Sequence, residues 1–214
     1  MEPFLTLSSP ALPLDASNVD TDQVIPARFL SKPRQELGLY MFHDVRFDES
    51  GAPRQSPFND PAYRGARILV TRENFGCGSS REGAVWALMG QTASDEGDDT
   101  HAYRCVIAPS YGEIFYSNAC KNGLLPVRLP SPIVVSLLEQ LKSGPGGTIA
   151  VDLEAQTVVG PDGAVHSFEF DAFQRDCLLR GLEDVELTSG HASEIDAFER
   201  RRAADIPWVL AVER

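Results

Sequence analysis

Apolar and polar positions follow the periods of strands and helices most clearly between residues 67 and 143. Short apolar runs bounded by polar or turn residues predict buried strands at 67–71, 105–108 and 124–128. The spacing of apolar residues predicts three helices: at 81–91, from a cap at Ser110 to Asn122, and on the stripe Ile133, Leu137 and Leu141. Strands that alternate with helices are typical of βαβ units on a parallel sheet.

Residues 4–14 and the stretch after Gly147 have other patterns. Residues 4–14 are apolar between serines and prolines, and they predict an edge strand because proline has no N–H to donate to a ladder. After Gly147 the period is two, which predicts short strands and then a compact helix, at 148–152, 157–160, 164–168 and 170–180. The predicted fold class is α/β, a single domain with a mixed sheet.

Four further segments complete the predicted organisation. Prolines and glycines interrupt every candidate element in 31–64, which predicts a long flexible loop,. Residues 92–102 are small and acidic, and predict a solvated insertion. Residues 192–204 predict an amphipathic helix with Ile195 and Phe198 facing inward. Residues 206–214 are expected to form a C-terminal tail after a domain that spans 1–205.

Composition and charge narrow the classes of protein. Of the 214 residues, 43% are hydrophobic, which is ordinary for a globular chain,. The 31 acidic and 19 basic residues give a net charge of −12, which disfavours binding to nucleic-acid phosphates,. The longest apolar run, 84–89, is far shorter than the roughly 20 residues of a membrane helix. With no signal-peptide pattern at the start, we expect a soluble cytoplasmic protein with no membrane or nucleic-acid partner.

The cysteines and histidines give no pattern for a metal site. The four cysteines are too far apart along the chain to resemble zinc or iron–sulfur ligands, at positions Cys77, Cys105, Cys120 and Cys177,. They are expected to be free thiols packed as small hydrophobic groups. The four histidines are scattered, so we expect this chain to bind no metal.

The most informative stretch is ENFGCGSSRE, residues 73–82, between a predicted strand and a predicted helix. Gly76 and Gly78 permit tight turns, while Ser79 and Ser80 stand where a helix N-cap belongs. An anion would be favoured there by the first helix amides, and the Arg81 guanidinium matches a carboxylate. The stretch lacks the third glycine of a dinucleotide site and the lysine of a P-loop. The alternative is a capped helix whose arginine pairs with a carboxylate such as Glu73 or Glu82.

Two more segments carry candidate chemistry. NVDTD, residues 18–22, offers oxygen acceptors on a tight turn, and Arg28 follows it. The alternative for this segment is an Asx-turn that caps a short helix. In 110–123, the aromatic residues Tyr111, Phe115 and Tyr116 favour a place in the core.

Four stretches together resemble one known family. NVDTDQVIPARFL, ILVTRENFGCGSSRE, VIAPSYGEIFYSNACKNGLLP and FQRDCLLRGLEDVEL follow, in order, the pattern of the small subunits of 3-isopropylmalate dehydratase, also called isopropylmalate isomerase. The resemblance extends over about residues 1–205. It implies a swivelling β/β/α three-layer domain of the aconitase C-terminal type.

The resemblance also implies an activity. The small subunit would work with a large 3-isopropylmalate dehydratase subunit, as a heterodimer or larger assembly, and the large subunit would carry a [4Fe–4S] cluster. The pair would interconvert 2-isopropylmalate and 3-isopropylmalate by removing and re-adding water, in leucine biosynthesis. By similarity Ser79 would be the base. Substrate contacts would come from Arg81, Ser80, Arg28, Phe29 and Leu30, and the site wall from Asp20, Thr21, Asp22, Asn74, Gly76 and Gly78.

The chain departs from the family pattern next to the proposed base. The family usually continues Ser-Arg-Glu with His-Ala, and this chain has Gly83-Ala84. With the acidic insertion, this indicates a divergent paralogue. Alternatives are therefore a related dehydratase subunit for citraconate or methylmalate, dimethylmaleate or homoaconitate, or a non-catalytic binding module.

Overall fold

A seven-stranded mixed sheet organises the chain, as the computed structural model shows; the structure describes residues 1–90, 102–206 and 208. The strands lie in the order β4-β3-β2-β1-β5-β6-β7. Their bounds are β1 Thr6–Leu14, β2 Ile68–Thr71, β3 Cys105–Ala108, β4 Leu125–Arg128, β5 Thr148–Asp152, β6 Thr157–Val159 and β7 Val165–Ser167. Neighbours from β1 to β4 are parallel, and β1, β5, β6 and β7 pair antiparallel. The predicted α/β class with a mixed sheet is confirmed.

The described part of the chain contains eight α-helices: α1 Thr21–Val24, α2 His43–Arg46, α3 Glu82–Met89, α4 Glu113–Asn122, α5 Ser131–Ser143, α6 Ala172–Arg180, α7 Asp184–Ser189 and α8 Ala192–Asp205. Glycines in the left-handed region end α4 and α6, at Gly123 and Gly181,. These ends agree with the sequence predictions. Pro26 follows α1 and limits it to one turn,.

Strand β1 is central, so the predicted edge strand over 4–14 is wrong. Its first half, Thr6–Pro10, pairs with β5, and its second half, Ala11–Leu14, pairs with β2. Each half therefore has its main ladder on one side. Pro10 and Pro13 are tolerated because a proline nitrogen can face the side that carries no ladder there.

Hydrophobic side chains are buried on both faces of the parallel strands. Leu12, Leu69 and Val106 belong to one core cluster together with α3 residues such as Ala84 and Leu88. Alternate residues of the same strands belong to a second cluster with α5, including Ala11, Ile68, Ile107, Leu137 and Leu141. Burial on both faces explains why these strands read as unbroken apolar runs.

Segment 31–64 contains more structure than the predicted loop. It holds α2 and three 3-10 segments, at Arg34–Tyr40, Pro57–Asn59 and Pro61–Tyr63. Five of its large side chains are buried in the core, Leu37, Met41, Phe42, Phe58 and Tyr63. The prediction of a loop without elements is therefore wrong, while its flexibility stays a prediction.

The chain forms two compact units, Met1–Gly181 and Leu182–Arg214, so the division falls before the expected boundary at residue 205. In the second unit, Ile195 is 38% exposed and Phe198 49% exposed, which corrects the prediction that both face inward. Of the predicted acidic insertion only Ala102 is described, and of the predicted tail only residues 206 and 208. Across the described chain, every helix is too short or too polar to cross a bilayer.

Candidate active site

Three loops meet at one edge of the sheet, where the parallel strands β1, β2 and β3 end. The loop after β2 lies in the middle. It receives hydrogen bonds from one side, Asn18 N to Glu73 O (2.9 Å) and Thr21 N to Cys77 O (3.0 Å). On the other side, Phe75 N donates to Ser110 O (3.1 Å). The candidate segments that stand far apart in sequence are thus held side by side by backbone hydrogen bonds.

Gly76 is required where the middle loop passes over α4. Its φ is +70°, and a Cβ atom there would lie 2.2 Å from Cγ of Phe115. Gly78 has a φ of +94° and passes close to Asp20, 3.3 Å from the position a Cβ would take. Both glycines therefore support the predicted tight turning, and they bring the loop close to α1 and α4.

Ser79 lies in this loop, and its Oγ atom is 2.7 Å from Oγ1 of Thr21. Thr21 is 1% exposed and Ser79 is half-buried. Helix α3 begins only at Glu82, with Arg81 in the N-cap position. The prediction that Ser79 and Ser80 occupy the N-cap is therefore wrong. Ser80 is exposed, one residue before Arg81.

Arg81 pairs with Asp22 through Nη1 and Oδ1. The alternative that Arg81 pairs with a carboxylate of the chain is therefore correct, although the partner is Asp22 and not Glu73 or Glu82. The Ser17 hydroxyl lowers the pKa of Glu73 by a hydrogen bond, and Glu82 accepts a hydrogen bond from Asn122 Nδ2 (2.7 Å). The side chain of Asp22 is 54% exposed, so its bond to Arg81 is open to exchange with another carboxylate,.

Helix α1 places these partners. Asp20 caps it: its Oδ1 accepts from Gln23 N (2.7 Å), and its own N–H donates to Gln23 Oε1 (3.0 Å),. The capping alternative for NVDTD is thus correct for Asp20. The next two residues, Thr21 and Asp22, reach Ser79 and Arg81 respectively. One turn of helix therefore aligns a hydroxyl and a guanidinium of the neighbouring loop.

Asn74 and Ser110 fix the start of the middle loop. Asn74 has a φ of +61°, its N–H donates to Ser110 Oγ (2.9 Å), and its Nδ2 donates to Asn18 Oδ1 (2.8 Å). The predicted cap of the following helix at Ser110 is wrong, because α4 begins at Glu113 with Gly112 as its N-cap. The serine therefore stabilises the candidate site instead of the helix.

Arg28, Phe29 and Leu30 lie on the 3-10 segment Ala27–Phe29 and at its end. Arg28 pairs with Asp44 and lowers the pKa of that carboxyl to about 2. Phe29 stacks on Tyr40, with ring centroids 4.3 Å apart, and its centroid is 4.8 Å from that of His43. Sequence reasoning missed Tyr40, His43 and Asp44, because they lie in the segment predicted to be a loop.

The aromatic residues after β3 are confirmed as core. Tyr111 is buried with its hydroxyl 2.7 Å from the carbonyl oxygen of Val106, and burial raises its pKa. Phe115 packs edge-on against Phe75, with centroids 5.2 Å apart. Three of the four cysteines are buried and all four are thiols, as predicted, and Cys77 in the middle loop is half-buried.

The arrangement brings together the hydroxyls of Thr21 and Ser79 and the guanidinium of Arg81. A cleft of about 640 Å³ lies elsewhere, beside Asp15, Ser56, Tyr63 and Lys142, and Ser79 does not line it. Among the described residues, no set of three or more His, Cys, Asp or Glu side chains is placed to hold a metal ion.

Comparison with known proteins first identifies the class. The family model of the aconitase C-terminal domain matches residues 1–132, so the fold is that of an aconitase-type α/β domain. Two further models match the rest. LeuD_N matches residues 136–172, and the C-terminal domain of the 3-isopropylmalate dehydratase small subunit matches residues 187–212. The chain belongs to the 3-isopropylmalate dehydratase small-subunit family.

Curated relatives and a solved structure agree with this membership. The chain is 47% identical to a 3-isopropylmalate dehydratase small subunit of Dinoroseobacter shibae, over 98% of this chain and 100% of the relative. It is 46% identical to that of Rhodospirillum centenum, with the same coverage. A crystal structure of 3-isopropylmalate dehydratase from Methanocaldococcus jannaschii is 25% identical with a TM-score of 0.63, and the match covers 90% of this chain and 99% of that one.

Proposed function

We propose that this chain is the small subunit of a hydro-lyase that interconverts 2-isopropylmalate and 3-isopropylmalate by removing and re-adding water. Its relatives of similar length carry the name of that enzyme's small subunit. In this proposal Ser79, as its alkoxide, takes the proton from carbon and becomes a neutral hydroxyl while the hydroxyl on the neighbouring carbon leaves, and Arg81 holds a substrate carboxylate. Arg28, Phe29 and Leu30 face the part of the substrate that differs between related acids.

The observation that carries the proposal is the alignment of Ser79 and Arg81 by one turn of α1. Thr21 Oγ1 lies 2.7 Å from Ser79 Oγ, and Asp22 holds Arg81. A serine accepts a proton as its alkoxide, whose negative charge needs a hydrogen-bond donor before the transfer, and the buried Thr21 hydroxyl can be that donor. Arg81 offers further N–H groups to a carboxylate after giving one to Asp22.

The energetics require a second chain. Each unit by which the serine pKa is lowered needs about 1.36 kcal/mol, and a helix N-terminus gives about 0.3–1 kcal/mol. Helix α3 starts three residues after Ser79, so its contribution belongs to the lower part of that range,. The remainder has to come from Thr21, from Arg81 and from exclusion of water when a partner covers the open face. We therefore propose that the isolated small subunit is inactive.

The [4Fe–4S] cluster implied by the family belongs, in this proposal, to the large subunit. The described part of this chain has no clustered thiolates to hold it: Cys105, Cys120 and Cys177 are buried, and burial raises the pKa of Cys120 to about 12. When bound to the large subunit, the cluster would supply a Lewis acid for the leaving hydroxyl. This chain supplies the base, the carboxylate contact and the wall of the alkyl pocket.

The proposal is tested by Ser79→Ala in the complex with the large subunit. Loss of a base is expected to lower kcat for 3-isopropylmalate about 10²–10⁴-fold. Ser143→Ala, at the exposed end of α5, is the matched control and should keep the full rate. Iron content and complex formation are measured for each variant, so that a change in rate cannot be a failure of assembly.

Other outcomes favour the alternatives. An unchanged rate in Ser79→Ala would contradict the proposed role and favour a non-catalytic binding module. A higher kcat/KM on citraconate, dimethylmaleate or homoaconitate than on 3-isopropylmalate would show that the substrate is that other acid. The proposed removal and re-addition of water would still hold. Turnover by the purified small subunit on its own, without iron, would contradict the requirement for a partner.

A further inference from the structure

Gly83 is buried in the first turn of α3, two residues after Arg81. It lies inside a helix with ordinary helical geometry, where glycine is less stable than alanine because it loses more backbone freedom on folding. Its backbone conformation therefore does not require glycine. The neighbouring side chains provide another reason for the missing Cβ atom.

The side chain of Leu30 occupies the space beside Gly83. A Cβ atom at residue 83 would lie 2.8 Å from Cδ2 of Leu30, which is too close, and 3.8 Å from Cδ1 of Leu37, which is an ordinary contact. Leu30 is half-buried and follows Arg28 and Phe29 directly. The Leu30 side chain therefore has its present position against α3 because residue 83 has no side chain.

A polar network holds the same segment on α3 from its other end. The guanidinium of Arg34 lies 4.6 Å from the ring centroid of Trp86 and donates to Oδ1 of Asn122 (3.2 Å). Trp86 Nε1 donates to the same oxygen (2.9 Å), and Asn122 Nδ2 donates to Glu82 (2.7 Å). Because the backbone is held there, an added methyl group at residue 83 would displace the Leu30 side chain more than the whole segment.

We propose that Gly83 is a positioning residue that acts through Leu30 to set the room for the alkyl branch of the substrate. This inference rests on the proposed function and specifies its substrate class as hydroxy dicarboxylic acids with a branched alkyl group. A side chain at residue 83 pushes Leu30 from its half-buried position toward its exposed side. The space for the alkyl branch then decreases, and the carboxylate contact at Arg81 is retained.

The test is Gly83→Ala in the complex with the large subunit, assayed on 3-isopropylmalate and on methylmalate. KM for the isopropyl acid is expected to rise about tenfold, the range that one methylene group gives in an apolar pocket. KM for the methyl acid should change less than about twofold, and kcat should change little for either acid. The double variant Leu30→Ala with Gly83→Ala should restore KM for the isopropyl acid.

Controls separate this inference from a general effect on folding. Gly144→Ala, at the end of α5, adds a Cβ atom 3.5 Å from its nearest neighbour and should change neither KM. If the Gly83→Ala variant does not assemble with the large subunit, the inference is tested by Leu30→Ala alone. That variant should shift selectivity from methylmalate toward 3-isopropylmalate, the larger acid. Unchanged selectivity in an active complex, or an equal loss on both acids without rescue, would overturn the role of Gly83. Inactivity of the unmodified complex on both acids would overturn the proposed function, and the inference with it.

Discussion

At the scale of single residues, the pair of hydroxyls at Thr21 and Ser79 decides whether the site can do chemistry. Thr21 is buried in the first turn of α1, and its side-chain oxygen has Ser79 as its partner at 2.7 Å. Either hydroxyl can donate while both are neutral. Once Ser79 carries negative charge, only Thr21 can donate, and the bond becomes a charged one of about 1.5–3 kcal/mol.

Thr21→Val removes this donor and keeps the shape of the side chain. The variant is expected to lower kcat for 3-isopropylmalate about 10–100-fold, because the lost bond acts mainly on the charged serine. KM should stay nearly constant. Thr21→Ser, which keeps the hydroxyl, is the matched control and should recover most of kcat. Equal kinetics for the valine and serine variants would show that Thr21 only fills space.

At the scale of elements, the local pattern of apolar and polar residues predicts the parallel strands. It does not predict the pairing of β1 or the structure of residues 31–64. β2 and β3 are four-residue strands that are buried along their whole length, so an apolar run between turns predicts them,. β1 changes partners at Pro10 and Ala11, and a change of partner leaves no signal in the sequence. The 31–64 segment folds through distant contacts such as Phe42 on Phe58, so local periodicity misses it.

The sequence predicts which residues form the candidate site, but it predicts only some of the contacts between their side chains. Ser79, Arg81 and the NVDTD turn all carry recognisable chemistry in the sequence. The partner of Arg81 is Asp22, 59 positions away, whereas the sequence favoured the near neighbours Glu73 and Glu82. Such a choice depends on which strands end at the same edge of the sheet, and therefore on the topology.

The crossing of the middle loop over α4 is tested by Gly76→Ala. Alanine at a positive φ costs about 1–2 kcal/mol, and the close approach to the Phe115 ring adds about 1–3 kcal/mol of overpacking,. Gly65→Ala is the matched control, since its φ is +73° and a Cβ there would meet no described atom within 4 Å. Urea unfolding should show the larger loss for Gly76→Ala, and equal losses would contradict the close packing.

At the scale of the whole molecule, the excess of acidic residues extends to the candidate site, where aspartates pair with the arginines. The chain carries 31 acidic and 19 basic residues. Arg81 is paired with Asp22, and Arg28 is paired with Asp44. In the proposed function, a dicarboxylate substrate therefore has to compete with these aspartates for the two arginines. In the proposed complex, a second chain that covers the site would exclude water and strengthen every charged contact inside it.

The two ends of the first compact unit, residues 1–181, contact each other. The N-terminal amine of Met1 donates to Gly181 O (3.0 Å), and Phe4 N donates to Leu178 O (2.9 Å), so both ends of the unit are joined. Phe4 and Leu178 are both buried in the same core cluster. In contrast, every residue of α8 is exposed. The core of residues 1–181 is therefore complete before the second unit begins.

A chain truncated after Gly181 is accordingly expected to fold. Its free energy of unfolding in urea should lie within about 1 kcal/mol of the full chain, because the residues of α8 are exposed and exposed residues contribute little to stability,. Truncation after Asp171 also removes α6 and Leu178, and it should cost several kcal/mol through the exposure of Phe4 and the cavity that is left,. If the chain that ends at Gly181 fails to unfold cooperatively, the second unit stabilises the first by contacts that the closed core does not require.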